Sequence, residues 1–215
     1  MSFRKLLAAT AGVVFLTGCA TSRSVVTTDV AAVENPTSGV AVRIEKVEDV
    51  RRFAVNPHTP DIPSLSDDRI SDASLTSRAI GRKRGGFGKA LGDVLLDDKD
   101  SVSAATTKAL VAAFRKAGYR VLGPNDPGYA QAIPVQARIN QFWEWIDMGF
   151  WQLTLHCRAE VVLQGGIEPL AQARTARADV AEGMTAVFES DWQAGAGKCL
   201  TALSDDVVRT VKAAK

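Results

Sequence analysis

The 215-residue sequence lacks the short motifs by which common catalytic sites are recognised. It contains no G-x-S-x-G nucleophile elbow, no H-E-x-x-H zinc motif and no G-x-G-x-x-G dinucleotide loop. Its only two histidines, His58 and His156, do not stand at a spacing that suits a metal site. We therefore predict no catalytic residues, no metal and no cofactor, and expect that the protein is not an enzyme.

The sequence also lacks an excess of charge of either sign. Lys and Arg number 26 and Asp and Glu 24, and the small basic surplus is supplied by Arg4 and Lys5. Beyond residue 18 the two counts are equal, at 24 each. A chain without net charge has no overall positive potential that would attract nucleic acid, so nucleic acid is not an expected partner.

The sequence has no long hydrophobic run, and the run nearest to one, at the N-terminus, is short. Arg4 and Lys5 precede an apolar run over residues 6–16, which is the layout of a secretory signal. The run is too short to cross a hydrocarbon core of about 30 Å as a helix. Residues 1–18 are accordingly interpreted as a signal peptide that is removed.

The residues Leu16-Thr17-Gly18-Cys19 stand where an ordinary signal has its cleavage site, and they resemble the lipobox of bacterial lipoproteins. The resemblance implies cleavage before Cys19 and a lipid on its thiol. Since residue 20 is Ala rather than Asp, the sorting rule of such lipoproteins implies the outer membrane, with the protein facing the periplasm. The alternative is an ordinary secreted protein with a chance cysteine.

Composition divides the remainder into a linker and one domain. Residues 19–38 are rich in Thr, Ser, Val and Ala without periodicity, which predicts a lipidated, flexible tether. Residues 39–215 are long enough for a single core. Within them, the Pro-rich and Gly-rich residues 54–100 are predicted to form a long inserted loop with a small hairpin or flap near Gly85-Gly86.

Periodicity predicts an α+β domain, with a largely antiparallel sheet of about four to five strands and two helices packed on one face. Alternation predicts strands over residues 39–47, 133–145 and 151–163, with weaker ones over 119–122 and 171–182. An apolar stripe predicts helices over residues 98–117 and 195–214.

Aromatic residues cluster around the turn between the two long strands. Their alternation places Trp143, Trp145 and Trp151 on the apolar face beneath the helices, which is the favoured interpretation. Phe142 and Ile146 have the opposite parity and are better candidates for contact with a membrane interface or a partner.

The lipobox, the strand ending Val47-Glu48-Asp49-Val50-Arg51, the helix ending Gly118-Tyr119-Arg120-Val121 and the meander with its C-terminal helix together resemble the YajG-type family of bacterial outer-membrane lipoproteins. The resemblance covers about residues 39–213. It implies a periplasm-facing lipoprotein without an assigned reaction or catalytic residues. The insertion around residues 80–95 departs from the shorter members, so it inherits no role.

A basic, Gly-rich stretch is the candidate binding site outside the anchor. Five cations fall within residues 78–89, and four of them form the proposed anion-binding set: Arg82, Lys83, Arg84 and Lys89. Backbone amides beside the glycines could join these cations around a phosphate of anionic lipid. The favoured alternative is a solvated hairpin whose cations balance nearby aspartates.

Cysteine is scarce, and the three present are Cys19, Cys157 and Cys199. With Cys19 taken by lipid, an even pair remains in an oxidising compartment. Cys157 has the parity of the core face of its strand, and Cys199 borders the apolar stripe of the last helix. We predict a disulfide between them, the alternative being two buried thiols.

These features together predict a protein of the cell envelope, anchored in the outer membrane by lipid on Cys19, that acts by binding and without catalysis. Its expected partner is the membrane, through the lipid on Cys19, and envelope proteins or anionic lipid are further candidates. The alternative function is an auxiliary lipoprotein subunit of an envelope lipid transporter.

Overall fold

A computed structural model describes residues 22–212, which form an α+β fold. The strands are β1 (Ser24–Val26), β2 (Ala41–Asp49), β3 (Ala54–Val55), β4 (Ser64–Leu65), β5 (Ala79–Arg84), β6 (Ala90–Leu96), β7 (Arg120–Val121), β8 (Ile133–Met148), β9 (Leu153–Gly165) and β10 (Arg174–Met184). The helices are α1 (Ala73–Thr76), α2 (Val102–Lys116) and α3 (Glu189–Lys212). None of these helices is long and apolar enough to cross a membrane.

The main sheet has eight strands and is organised around β8. Strand β9 runs antiparallel along one edge of β8 and is followed by β10. The other edge is shared, because β2 lies parallel to the first half of β8 and β5 lies parallel to its second half. The α+β class is confirmed, but the sheet is larger than the predicted four to five strands and is mixed, with antiparallel ladders at β5–β6, β8–β9 and β9–β10 and parallel pairs elsewhere.

The predicted inserted loop at residues 54–100 is instead largely part of the fold. Strands β5 and β6 form an antiparallel hairpin that joins the main sheet, and β3 and β4 form a small separate sheet. Proline and glycine at the ends of these short strands conceal them, and β5 is fixed by its non-local partner β8 rather than by its own periodicity.

The predicted flexible tether is also incorrect for its described part. Ser24 and Val26 are buried where β1 adds to the edge of β6. Further along, the Asn35 side chain donates to the Val121 carbonyl and accepts from the Val121 amide, both at 2.8 Å. The segment therefore contacts the domain around β1 and again at Asn35, while most of residues 31–40 are exposed.

Helices α2 and α3 cover one face of the sheet and enclose the main core. Ser101 caps α2 by accepting from the Ala104 amide at 3.1 Å, and Gly118 ends it with a positive φ of 95°. Helix α3 begins at Glu189, six residues before the predicted start. The structure joins Cys157 of β9 and Cys199 of α3 by a disulfide, with their α-carbons 5.9 Å apart.

A β-bulge in β8 explains where the aromatic prediction fails. Ile139 pairs with Val161 and Gln141 with Glu160, so Asn140 is an extra residue that reverses the parity of β8. Phe142 consequently lies buried in the main core beneath the helices, where an exposed side chain was predicted. Ile146 is partly buried and packs against the same core.

The reversal places Trp143 and Trp145 on the opposite face of the sheet, away from the helices. They form a second buried cluster with Leu65 and Leu95, which is covered by residues 53–77. The Trp143 indole donates to the Pro60 carbonyl at 3.0 Å, so this covering segment is held to the sheet by a directional bond.

Candidate functional site

All four exposed Phe and Trp side chains of residues 22–212 lie at one end of the main sheet. They are Phe87, Phe150, Trp151 and Phe188, each exposed by 64% or more. Phe87 lies in the β5–β6 turn, Phe150 and Trp151 in the β8–β9 turn, and Phe188 between β10 and α3. Strands β5 and β8 are parallel and both end here, as does β10. We call this surface, together with half-exposed Met148, the aromatic end.

The loops of the aromatic end contact one another. A β-carbon on Gly86 would lie 3.8 Å from the Met148 sulfur, so the two hairpin turns are neighbours. Phe150 and Trp151 stack edge to face with ring centroids 4.7 Å apart. Met184, the last residue of β10, pairs with Leu153, which directly follows the β8–β9 turn. The two hairpin turns are therefore neighbours, and β10 ends beside the second of them, so these apolar side chains share one end of the sheet.

The chain enters the described fold at the same end. Strand β1 runs parallel to β6, so it begins beside the β5–β6 turn. The Lys83 ammonium donates to the Ser22 carbonyl at 3.0 Å, and the Ser24 hydroxyl donates to Glu189 at the start of α3 at 3.0 Å. The predicted lipidation site, Cys19, lies outside the described residues, three positions before Ser22.

The predicted anion-binding set does not converge on one site. Arg82 is buried beside Asp93, with Nε 3.7 Å from Oδ1, while Lys83 points to the opposite face of β5. Arg84 donates to the Pro57 carbonyl at 3.0 Å and the Ser64 hydroxyl at 3.1 Å. Burial, and then the positive charge of Arg82, lower the pKa of the Arg84 guanidinium. Lys89 alone is exposed at the turn. Strand alternation places Lys83 on the face opposite Arg82 and Arg84, and the two arginines are engaged in contacts within the fold.

The two histidines are likewise apart from any cluster of potential ligands. His156 stacks on Trp145 with centroids 4.9 Å apart, and its Nε2 lies 3.1 Å from an Asp147 carboxyl oxygen. Within residues 22–212, no group of three or more His, Cys, Asp or Glu side chains is arranged to hold a metal ion.

Glu144 is a buried acid, outside the aromatic end, that the sequence did not single out. Its side chain is fully buried, and neither carboxyl oxygen has a hydrogen-bond partner in the described structure. It pairs across the sheet with Cys157, and its carboxyl fits only because residue 195 of α3 is Gly, since a β-carbon there would overlap Oε1. Burial raises the pKa of Glu144 well above its ordinary value. Its position in the sequence, between Trp143 and Trp145 of a strand predicted to be in the core, is the feature that could have indicated a buried acid.

Comparisons with known proteins identify no family. No protein-family model and no curated protein matches the sequence. Among solved structures, a minor lipoprotein from Acinetobacter baumannii has 14% identity and a TM-score of 0.38, with 53% of this chain and 87% of that chain covered. A DUF330 protein from Xanthomonas campestris has 14% identity and a TM-score of 0.43, covering 86% and 91%. An uncharacterized protein has 9% identity and a TM-score of 0.43, covering 81% and 99%.

At these values the likeness assigns neither a family nor a function. The resemblance to the YajG-type family therefore stays a prediction. What the chain does has to be inferred from the aromatic end, the nearby start of β1 and the lipobox.

The buried Glu144 gives a pH-dependent prediction. Below its ordinary pKa of 4.5, the carboxyl is protonated in both folded and unfolded chains. Above that value the unfolded chain releases the proton while the folded chain retains it, so wild-type stability falls until the raised folded pKa is reached. We expect Glu144→Gln, which cannot ionise, to gain stability over the wild type increasingly as the pH rises above 4.5.

Urea unfolding across about pH 4 to 9 measures this difference. Glu45→Gln is the control, because hydrogen bonds from Gln136 and then Arg43 lower the pKa of exposed Glu45, which gives the opposite sign. A difference between Glu144→Gln and wild type that does not vary with pH would show that Glu144 does not titrate as its burial requires.

Proposed function

We propose that this protein is a lipoprotein of the bacterial envelope, held in the outer membrane by acyl chains on Cys19, and that it acts by binding at the periplasmic surface of that membrane. One myristoyl-length chain binds membranes marginally, whereas a diacylglyceryl group with an N-acyl chain is sufficient for stable anchoring. The lipobox supplies the attachment point, and the domain supplies the binding surface.

The observation that carries the proposal is the short distance along the chain between the lipid and the sheet. Ser22 already contacts Lys83, and Ser24 already pairs with Val94 of β6. Three residues from Cys19 to Ser22 reach at most about 10 Å. The domain therefore rests at the membrane surface instead of extending from it on a long tether.

The opposite end of the domain offers a surface for a partner. A cleft of about 400 Å³ lies where β8 begins and α3 ends, and its lining includes Tyr119, Ile133, Ile167 and Val211. Ser22, three residues after Cys19, lies at the other end, so a membrane that holds the lipid is on the side away from this cleft. It favours, as a second candidate function, an auxiliary subunit of an envelope lipid transporter, in which a permease or lipid carrier occupies the cleft.

We expect Cys19→Ser to abolish acylation and to leave a full-length precursor that no longer fractionates with the outer membrane. Mass spectrometry of the N-terminal peptide and density-gradient fractionation measure the two effects. Ala20→Asp is the matched control, because it leaves Cys19 in place and should be acylated yet retained in the inner membrane. Outer-membrane recovery of Cys19→Ser would contradict the anchoring proposal.

A photo-cross-linking residue at Tyr119 tests the second candidate in the same cells. Covalent capture of a permease or lipid-carrier protein favours the transporter subunit. Capture confined to other classes of envelope protein removes that candidate and leaves the anchored binding protein.

A further inference from the structure

We infer that the aromatic end inserts into the headgroup region of the membrane that holds Cys19, so that the domain is docked as well as anchored. This inference rests on the proposed function, because it takes the lipid on Cys19 as given. It adds a specific contact surface made by Phe87, Met148, Phe150, Trp151 and Phe188.

The exposure of these side chains is the first support. Trp151 and Phe150 are exposed by 89% and 88%, whereas the other three tryptophans of the chain, Trp143, Trp145 and Trp192, are buried. Aromatic rings are favoured at the membrane interface, where an apolar ring and a polar indole nitrogen each find a suitable environment. Several large exposed apolar side chains gathered at one end of a fold mark an interaction surface.

The path of the chain selects the membrane as the occupant. The Ser22 carbonyl packs so closely on β6 that a side chain at Gly92 would overlap it, and this fixes where the chain leaves the described fold. From that point Cys19 is about 10 Å away at most. The lipid is thus attached beside the aromatic end, and any motion that keeps Cys19 in the bilayer keeps the aromatic end near it.

The charges around the aromatic end predict how the docking responds to lipid composition. The exposed cations Arg23 and Lys89 are offset by the exposed acids Asp147 and Glu189. Docking should therefore depend on apolar burial and differ little between zwitterionic and anionic vesicles. This expectation differs from the salt-sensitive binding that a cluster of Arg82, Lys83 and Arg84 would give.

The fluorescence of Trp151 tests the inference in the acylated, full-length mature protein. The protein is reconstituted into vesicles of phosphatidylcholine, or of phosphatidylethanolamine with phosphatidylglycerol, each with and without brominated acyl chains. We expect a blue shift and bromine quenching of the Trp151 emission in both vesicle types. Trp151→Phe supplies the background from the three buried tryptophans.

Paired variants then test apolarity at the contact. Phe87→Ser with Phe150→Ser should lower the ratio of docked to undocked protein about tenfold, since two phenyl groups no longer enter the lipid. Phe87→Leu with Phe150→Leu keeps the apolar contact and should retain the quenching. Urea midpoints equal to that of the wild type show that these exposed substitutions leave the fold intact.

The outcomes separate docking from anchoring. Acylated protein that sediments with vesicles while Trp151 stays unquenched overturns the docking and leaves the anchoring in place. Equal quenching in the Ser and Leu variants overturns it as well. Failure of the protein to be acylated or to sediment overturns the proposed function, and the docking with it.

Discussion

Arg51→Ala is expected to lower the free energy of unfolding by about 3–5 kcal/mol, the loss typical of removing one partner of a buried ion pair. The Arg51 side chain is completely buried and forms two hydrogen bonds of 2.8 Å to the Asp49 carboxylate. It also donates to the carbonyls of Ala79 at 2.7 Å, Phe142 at 2.9 Å and Thr76 at 2.8 Å. All of these groups lose their donor in the variant.

The position of Arg51 explains why no neighbouring group can replace it. Strand β2 leaves β8 after Asp49, which pairs with Ile139, and β5 takes over the same edge at Gly81, which pairs with Glu144. The guanidinium fills the gap between the two strands and satisfies carbonyls of β5, β8 and α1. Without it, buried acceptors remain unpaired, which costs free energy at each one.

Urea unfolding of the purified protein measures the loss, with two controls. Arg51→Lys retains the charge but not the planar fork, so it should fall between Ala and wild type. Arg209→Ala removes a guanidinium whose side chain is 70% exposed and paired only with Asp206, and should cost less than about 1 kcal/mol. Similar midpoints for Arg51→Ala and Arg209→Ala would contradict the role assigned to Arg51.

Local patterns predicted the elements that are stabilised locally. The alternation in β8 and β9 and the apolar stripes of α2 and α3 were sufficient to predict an α+β domain with two helices on one face. The parity of Cys157 and the helical position of Cys199 also indicated surfaces that face each other, and the structure joins these residues. In each case, the residues whose pattern predicts the element lie within one or two helical turns of one another or on one or two neighbouring strands.

The bulge at Asn140 shows where such reasoning stops. Its sequence neighbours give no local sign of an extra residue, yet it reverses the face of every side chain beyond it. Trp143 and Trp145 were correctly expected to be buried. They pack beneath residues 53–77, however, and not beneath the helices as predicted. Trp151 was expected in the core and is exposed, because β9 begins only at Leu153.

Pairing between distant segments accounts for the remaining errors. Strand β1 has three residues and is a strand only because β6 offers an edge, and β5 depends in the same way on β8. The candidate anion set is divided for the same reason, since β5 places Lys83 on the opposite face of the sheet from Arg82 and Arg84. The aromatic end became apparent only when two hairpin turns and the β10–α3 connection were placed side by side.

Removal of the Cys157–Cys199 disulfide is the second large expected effect. The two cysteines are 42 positions apart and both are buried. Without the bridge, the unfolded chain is no longer closed into a loop of that length and gains conformational entropy. In the chain-entropy account, this should lower the free energy of unfolding by about 4 kcal/mol. The bridge joins the first half of β9 to the first half of α3, so its removal weakens the contact between the helix and the sheet.

Comparing three forms of the protein separates the cross-link from the packing of the sulfurs. Reduced wild type retains both sulfurs without the bond, so the difference between oxidised and reduced wild type measures the cross-link alone. Cys157→Ala with Cys199→Ala also removes sulfur volume beside Glu144, and the difference from reduced wild type measures that packing. The reduced form should also show a steeper dependence on urea, because its unfolded chain exposes more surface. Equal midpoints for oxidised and reduced wild type would contradict the stabilising role of the bridge, whereas a reductant should leave the double Ala variant unchanged.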